Sequence, residues 1–197
     1  MSQRDALLAG AKTCLFEKGY GATTARDIAA AAGAHLGSIG YHFGSKDALM
    51  NAAVLDATSE WGDTVEAAVR RARAADPPAR LEALLDTLFA AIPGQRDLLV
   101  ASVQAYAQAQ FDDRLRAALS DGFGLGRRAF AALLLDVPAE RVDDAAATRV
   151  GSLVYAIVTG YIVQALTDPD SLPTARDVTA ALHSLTSTRP QDGAASS

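Results

Sequence analysis

The chain has 197 residues, of which half are hydrophobic and only 6% are aromatic, and its net charge is −5 at neutral pH. This length suits one substantial core with a small second domain, and the abundance of alanine with few runs of Val, Ile and Thr predicts an all-α fold. The acidic total excludes a nonspecific basic coat for nucleic acid, although residues 1–50 carry five basic and four acidic groups and are therefore slightly positive.

Three helices are predicted in the first 43 residues. The first covers about 4–18, where apolar residues recur every three or four positions before a glycine. A second short helix should begin near Thr24, since Asp27 lies three residues later and completes a capping box. Gly33 then supplies a tight turn, and a third short helix should occupy about 36–43.

Six further helices are predicted, which makes nine in all. Ser45 can cap a long fourth helix that starts at Lys46 and runs to about residue 75, just before Pro77 and Pro78. Proline and glycine clusters separate the rest, which we place near residues 78–92, 96–109, 112–135, 143–167 and 174–187.

The short helices form the motif that indicates function. Two short helices joined at a glycine turn and braced by a longer helix are typical of helix-turn-helix proteins, whose second short helix enters the major groove of DNA. Residues 36–41 are mostly small or polar, and Ser38 and Tyr41 can donate hydrogen bonds to bases. A helix this rich in glycine must be stabilised by packing, which we expect through Ile39 or Phe43.

The same stretch resembles the signature of the TetR family of transcriptional regulators. The resemblance lies in one register and consists of Gly19, Tyr20, Thr23, Thr24, Asp27, Ile28, Ala29, Ala32, Gly33, Gly37, His42, Phe43, Ser45, Lys46 and Leu49. It implies a helical ligand-binding and dimerisation domain after the DNA-binding head. We therefore divide the chain into residues 1–47, with the motif at about 24–43, and residues 48–188, followed by a disordered tail at 189–197.

The resemblance also implies which residues contact DNA. Lys46 at the start of the fourth helix would meet a backbone phosphate. This chain has His35 where the family usually has Ser or Thr, and Gly40 where it usually has tyrosine. The DNA contact of that tyrosine is therefore assigned to Tyr41. Two roles remain possible for His42, namely a structural role beside Phe43 and a contact with a phosphate. The full set is Thr24, Ala25, Arg26, Leu36, Gly37, Ser38, Ile39, Gly40, Tyr41, His42 and Lys46.

The last two helices carry a candidate dimer interface. Ser152, Ala156 and Gly160 recur every four residues, and small residues at that period let two helices approach closely. An ordinary buried helix would show a similar pattern. Because TetR-like proteins pair through a four-helix bundle, we predict that the interface comprises Ser152, Ala156, Gly160, Val178, Leu182 and Leu185.

A ligand cavity is expected between the middle helices. Its candidate lining mixes aromatic side chains with polar ones, although such residues are more often simply core. The set is Trp61, Phe89, Gln104, Tyr106, Gln108, Phe123, Phe130 and Tyr155. The prediction is a homodimeric repressor that a small-molecule effector releases from a palindromic double-stranded DNA operator. The alternative is a DNA-binding regulator controlled by a protein partner, with no small-molecule ligand.

Other classes of protein find little support in the sequence. No run approaches the ~18 to 20 apolar residues of a membrane span, and no secretory signal is visible, so we expect a cytoplasmic protein without membrane attachment. Three histidines lack metal-ligand spacing, and no catalytic set is apparent, so we expect no metal, no cofactor and no enzymatic activity. Cys14, the one cysteine, is either a small core residue or a redox sensor.

Overall fold

The computed structural model describes residues 2–187, and this part of the chain contains nine helices and no strand. The predicted all-α class is therefore confirmed, and each predicted helix is present within a few residues of its expected bounds. The tail predicted at 189–197 lies outside the described residues. The helices are α1 (Gln3–Ala22), α2 (Ala25–Ala31), α3 (Gly37–Phe43), α4 (Lys46–Arg71), α5 (Pro77–Ala91), α6 (Arg96–Gln108), α7 (Asp113–Leu135), α8 (Asp144–Thr167) and α9 (Ala175–Thr186).

The predicted start signals act as expected. The Thr24 hydroxyl accepts from the Asp27 amide at 3.2 Å, and the Asp27 carboxylate accepts from the Thr24 amide at 2.9 Å. Ser45 caps α4 by accepting from the Ala48 amide at 3.0 Å. These caps fix where α2 and α4 begin, because each satisfies amides that have no partner within the first turn.

Two helix ends differ from the sequence prediction. Gly19 breaks the helical geometry with φ 77°, as expected of a stop, but one more turn follows it and α1 reaches Ala22. α4 ends at Arg71, about one turn earlier than predicted, and Arg73 then adopts a left-handed φ of 50°. A left-handed residue terminates a helix without the help of proline, so the prolines at 77 and 78 begin α5 instead.

The head formed by α1, α2 and α3 shares its core with two helices of the body. Gly10 lets α1 approach the end of α2 closely, since a Cβ at this position would lie 2.9 Å from the Ala32 amide nitrogen. From α4 and α6 the core takes in Leu49, Met50, Ala53, Val54, Ala57, Leu98 and Ala101. The head is therefore packed directly on α4 and α6.

The body is built around the crossing of α7 and α8. A Cβ at Gly151 would lie only 2.0 Å from the Arg127 carbonyl oxygen of α7, so only glycine fits there. The residues Ala147–Gly151 form a π-helical turn that packs against α7. Gly126 on α7 makes the second close approach, because a Cβ there would meet the Tyr155 ring at 2.6 Å. This crossing places the Tyr155 side chain between the two helices.

α8 is the most apolar helix of the body. It has 24 residues and a mean hydropathy of 1.5 over its most apolar window, so by length and composition alone it could cross a membrane. Val154, Val158 and Ala165 face the core of the body, whereas Leu153 and Val163 are exposed. Such a helix has one face for its own core and a second apolar face on the surface.

Candidate DNA interface and ligand cavity

The recognition helix α3 has one inward residue and a solvent-facing surface. Ile39 is only 3% exposed and packs into the head core, while Phe43 packs against the same core. This packing confirms how α3 is held, and it turns the Ile39 side chain into the head core and away from the surface predicted to contact DNA. Tyr41 is 87% exposed, and Leu36 is also exposed.

The other predicted DNA residues share the outer surface of α2, α3 and the start of α4. The exposed members are Thr24, Arg26, Gly37 and Gly40. The partly buried members are Ala25, Ser38, His42 and Lys46. Ala25 also packs against the head core, so it offers less surface than its neighbours. All of the predicted DNA residues except Ile39 are therefore at least partly accessible to solvent.

The beginning of α1 supports the end of α3. His42 Nε2 lies 3.1 Å from the Gln3 side-chain oxygen, and the His42 ring stands edge-on to Tyr41 at 4.9 Å between centroids. The Arg4 guanidinium lies over the Phe43 ring at 5.0 Å. Sequence reasoning missed Gln3 and Arg4, because nothing in the local pattern connects the first turn of α1 with a helix almost forty residues later.

The N-terminus of α2 carries a compensated negative charge. The Lys18 ammonium lies 2.7 Å from Asp27, and with Thr24 it holds the pKa of that carboxyl well below its usual range. A free aspartate would repel a phosphate at this helix end, whereas a paired one repels it less. The Thr24 hydroxyl donates to Asp27 at 2.7 Å, so it serves the cap in the absence of DNA.

Lys46 is held close to the turn between α1 and α2. Its ammonium lies 3.0 Å from Asp47, 3.5 Å from the Thr23 carbonyl oxygen and 5.5 Å from the centre of the Tyr20 ring. Tyr20 in turn donates to the buried Asn51 side chain at 2.9 Å, and burial raises its pKa to about 12. Tyr20 is therefore a neutral, fixed platform beside the Lys46 cation.

Cys14 lies in the head core. It is a free thiol, its side chain is buried, and burial raises its pKa. A protonated buried thiol reacts poorly, which favours the core role over a redox role.

A cavity of about 310 Å³ lies among α4, α5, α6, α7 and α8. Five predicted residues line it, namely Trp61, Tyr106, Phe123, Phe130 and Tyr155. Four of these rings, all but that of Trp61, meet their neighbours edge-to-face, with centroids 5.2 to 5.7 Å apart. This geometry is favourable for aromatic pairs, so these rings form a continuous wall.

Three predicted cavity residues lie elsewhere. Phe89 packs against Tyr161 in the body core, with ring centroids 5.4 Å apart, and Gln104 and Gln108 are exposed on α6. These three residues do not line the cavity, because Phe89 packs in the body core and the outer face of α6 points to solvent. The polar groups that do line the cavity include Thr58 and Ser102, which sequence reasoning missed since short hydroxyl residues carry no distinctive pattern.

The candidate dimer residues divide between the surface and the core. Ala156 and Leu185 are exposed, the latter by 81%, and Ser152 and Gly160 are partly exposed. Val178, at 6% exposure, belongs to the core of its own chain, and Leu182 packs against that core. The Val178 side chain therefore lies inside its own chain, because the inner face of α9 packs against α5. Leu153 and Val163 extend the exposed apolar surface along α8.

The head and the cavity are physically connected through α4 and α6. Leu98 and Ala101 of α6 pack in the head core, while Leu99 and Ser102, their immediate neighbours, line the cavity. Trp61 of α4 lines the cavity and packs against both cores. A displacement of α4 or α6 at the cavity therefore moves surfaces on which the head rests.

Ion pairs strengthen the contact between α1 and α4. The Lys12 ammonium lies 2.7 Å from Asp56 and 2.8 Å from Glu60, and these two carboxylates raise its pKa. Both carboxylates lie on the stretch of α4 whose other side forms the cavity wall. Within residues 2–187, no group of three or more His, Cys, Asp or Glu side chains is placed to hold a metal ion.

A helix-turn-helix head packed on a helical body with an internal cavity defines a DNA-binding transcriptional regulator. Residues 7–53 match the family model of bacterial regulatory proteins of the tetR family, and residues 77–190 match that of the BetI-type transcriptional repressor, C-terminal. The second match spans more than half of the chain. The chain therefore belongs to the TetR family and carries a C-terminal domain of the BetI type.

Solved structures share the fold at low sequence identity. A transcriptional regulator from Rhodococcus sp. RHA1 superposes with a TM-score of 0.71 at 20% identity, covering 94% of this chain and 95% of the other. A regulator from Pseudomonas aeruginosa PAO1 gives 0.64 at 23% identity, covering 92% and 86%. The fatty acid degradation regulator FadR from Bacillus halodurans gives 0.60 at 16% identity, covering 94% of each chain. No curated protein sequence matches the chain.

Proposed function

We propose that the protein is a homodimeric cytoplasmic repressor that binds a palindromic operator and is released from it by a small molecule bound in the cavity. The observation that carries the proposal is the connection of the two sites, since neighbouring residues of α6 pack in the head and line the cavity. The proposal retains the predicted division near residue 47, although the head core also includes part of α4.

DNA recognition is assigned to the exposed surface of α3. Tyr41 presents a hydroxyl to a base edge or phosphate, and Leu36 presents an apolar contact. Lys46 and the capped N-terminus of α2 contribute backbone contacts, which supply affinity and register. A two-fold dimer would place the two α3 helices about 34 to 36 Å apart, one turn of DNA, and the operator would then be palindromic.

Dimerisation is assigned to α8 and α9. A Cβ at Gly160 would meet nothing within 4 Å in the protomer, so packing within one chain does not require glycine there. Together with Ala156, Leu153 and Leu185, Gly160 belongs to an exposed apolar surface of the kind that a second copy covers.

Release of DNA follows if the ligand binds more tightly to one position of the head than to the other. A ligand that fits the cavity better when α4 and α6 are displaced favours a head spacing that no longer matches both half-sites. Couplings of this type are about 1 to 3 kcal/mol, or roughly 5- to 150-fold in DNA affinity.

The proposal is tested by screening compounds for release of the dimer from DNA selected by the protein itself. Gly122 lines the cavity and Gly124 does not, yet a Cβ at either position of α7 would meet nothing within 4 Å. We expect Gly122→Leu to bind DNA but to lose the response, because leucine fills the cavity, and we expect Gly124→Leu to keep both. If no compound in a broad panel releases the wild-type protein, control by a protein partner is favoured instead.

A further inference from the structure

The charges around the cavity restrict its ligand. Among the described residues that line it there is no Lys, Arg or His, and the charged side chains are Asp63 and Glu66. Asp63 is exposed at the rim, and Glu66 is paired with Arg70 at 2.8 Å. The interior therefore holds no counter-ion for a carboxylate or a phosphate, and burying such a group unpaired is costly.

One polar spot in the cavity is formed by two hydroxyls that lie 3.2 Å apart, those of Thr58 and Ser102. Thr58 donates to the Val54 carbonyl oxygen at 2.7 Å, and Ser102 donates to the Leu98 carbonyl oxygen at 2.9 Å. A hydroxyl has a single hydrogen to donate, so these two have lone pairs rather than hydrogens left for a ligand.

A second polar spot is formed by Tyr106 and Tyr155, whose rings flank Phe123. Burial raises the pKa of both phenols, and both side chains line the cavity. Both are therefore neutral near pH 7. Each neutral phenol has one hydrogen, which it can donate to an acceptor on a ligand in the cavity that both side chains line.

We propose that the cavity binds an uncharged, mainly apolar molecule whose carbonyl or ether oxygen accepts a hydrogen bond from the Tyr106 and Tyr155 pair. This inference rests on the proposed function, because it names the chemical class of the effector of the same site. At about 310 Å³ the cavity is at the lower end of the range of roughly 300 to 1,000 Å³ for ligand sites, so the molecule is small.

Trp61 allows a direct test on the full-length dimer, because it is the one tryptophan of the chain and it lines the cavity. Its fluorescence is titrated with 2-decanone, decanoate and protonated decylamine, which share an apolar chain and differ in charge. We expect saturable binding of the ketone at least about tenfold tighter than that of either ion. Equal or tighter binding of an ion, or no saturable binding of the ketone, would overturn the proposal.

The hydrogen bond is tested with Tyr155→Phe and Tyr106→Phe, each of which removes one phenol oxygen and keeps the ring. We expect the double variant to bind 2-decanone about fivefold more weakly, whereas Tyr161→Phe, outside the cavity lining, should bind as wild type. Thermal unfolding without ligand checks that the folds are equally stable. Unchanged ketone affinity in the double variant would overturn the assignment of the tyrosines.

DNA release separates this inference from the proposed function. The same probes are added to the complex with selected DNA. Tight binding of 2-decanone without release would support the ligand class and count against an effector role for the cavity. Release by decanoate alone would support the effector role and overturn the ligand class.

Discussion

Two glycines on α8 should respond in opposite ways to the same substitution. Gly151 faces α7, where a Cβ would lie 2.0 Å from the Arg127 carbonyl oxygen, whereas a Cβ at Gly160 would meet nothing within 4 Å of its own chain. Gly151→Ala and Gly160→Ala therefore make the same chemical change on two faces of one helix. Gly151→Ala disturbs packing inside the protomer, whereas Gly160→Ala adds a methyl group that meets nothing in its own chain.

The magnitudes follow from packing and from helix propensity. Alanine is favoured over glycine inside a helix by about 1 kcal/mol, which Gly160→Ala should gain in part. At Gly151 the overlap with a backbone carbonyl must force α7 and α8 apart, and overpacking of this kind typically costs 1 to 3 kcal/mol. For a chain of this size, a net loss of about 2 kcal/mol lowers Tm by roughly 4 to 8 °C.

Thermal unfolding by circular dichroism at several protein concentrations measures both effects. We expect Gly151→Ala to unfold at a lower temperature at every concentration, and Gly160→Ala to retain or raise the stability of the dissociated chain. Gly160→Leu should weaken dimerisation in analytical ultracentrifugation, since a bulky side chain prevents close approach of two α8 helices. Wild-type stability in Gly151→Ala, or an unchanged dimer in Gly160→Leu, would refute the assignment of the two faces.

Four further outcomes are expected in the head. Lys46→Ala should weaken binding to all duplexes and flatten the salt dependence, so an unchanged slope in titrations at several ionic strengths would remove Lys46 from the contacts. Tyr41→Phe should weaken operator binding without altering helicity or dimerisation, and wild-type operator affinity would reject its hydroxyl as a contact. Lys12→Met removes the ion pairs that join α1 of the head to α4, so ligand-free DNA affinity should fall several-fold while the free energy of unfolding falls by no more than about 1 kcal/mol. Unchanged DNA affinity would show that these ion pairs do not hold the head in its DNA-binding position. Because the pKa of Asp27 is lowered in the folded state, its contribution to the free energy of unfolding is present above about pH 4 and is lost as the pH falls further. In unfolding measured at several pH values, Asp27→Asn should therefore lose less stability in acid than the wild type does.

Local chemistry made most of the fold predictable. Thr24 with Asp27 and Ser45 before α4 specify helix starts through hydrogen bonds within three residues, so the sequence alone is enough to find them. Gly19 and the proline clusters act over similarly short distances. The left-handed Arg73 was not predictable, because nothing in its residue type requires that backbone conformation.

The sites were less predictable because they depend on how each helix is rotated in the fold. Ile39 and Val178 turn toward the core, and Gln104 and Gln108 turn toward solvent, although each lies on the helix expected to carry the site. The aromatic side chains were placed more successfully, since large apolar rings on the middle helices are rarely left exposed. Long-range pairs such as Gln3 with His42 follow only from the packing of α1 on α3.

In the proposed complex, α3 presents its exposed face to a duplex groove. The most direct measurement is an unbiased selection from random duplexes, followed by titration of the enriched sequence against nonspecific competitor. We expect enrichment of one palindrome, with half-sites about one helical turn apart, and loss of that preference on Tyr41→Ala. Binding to every duplex with equal affinity would contradict it.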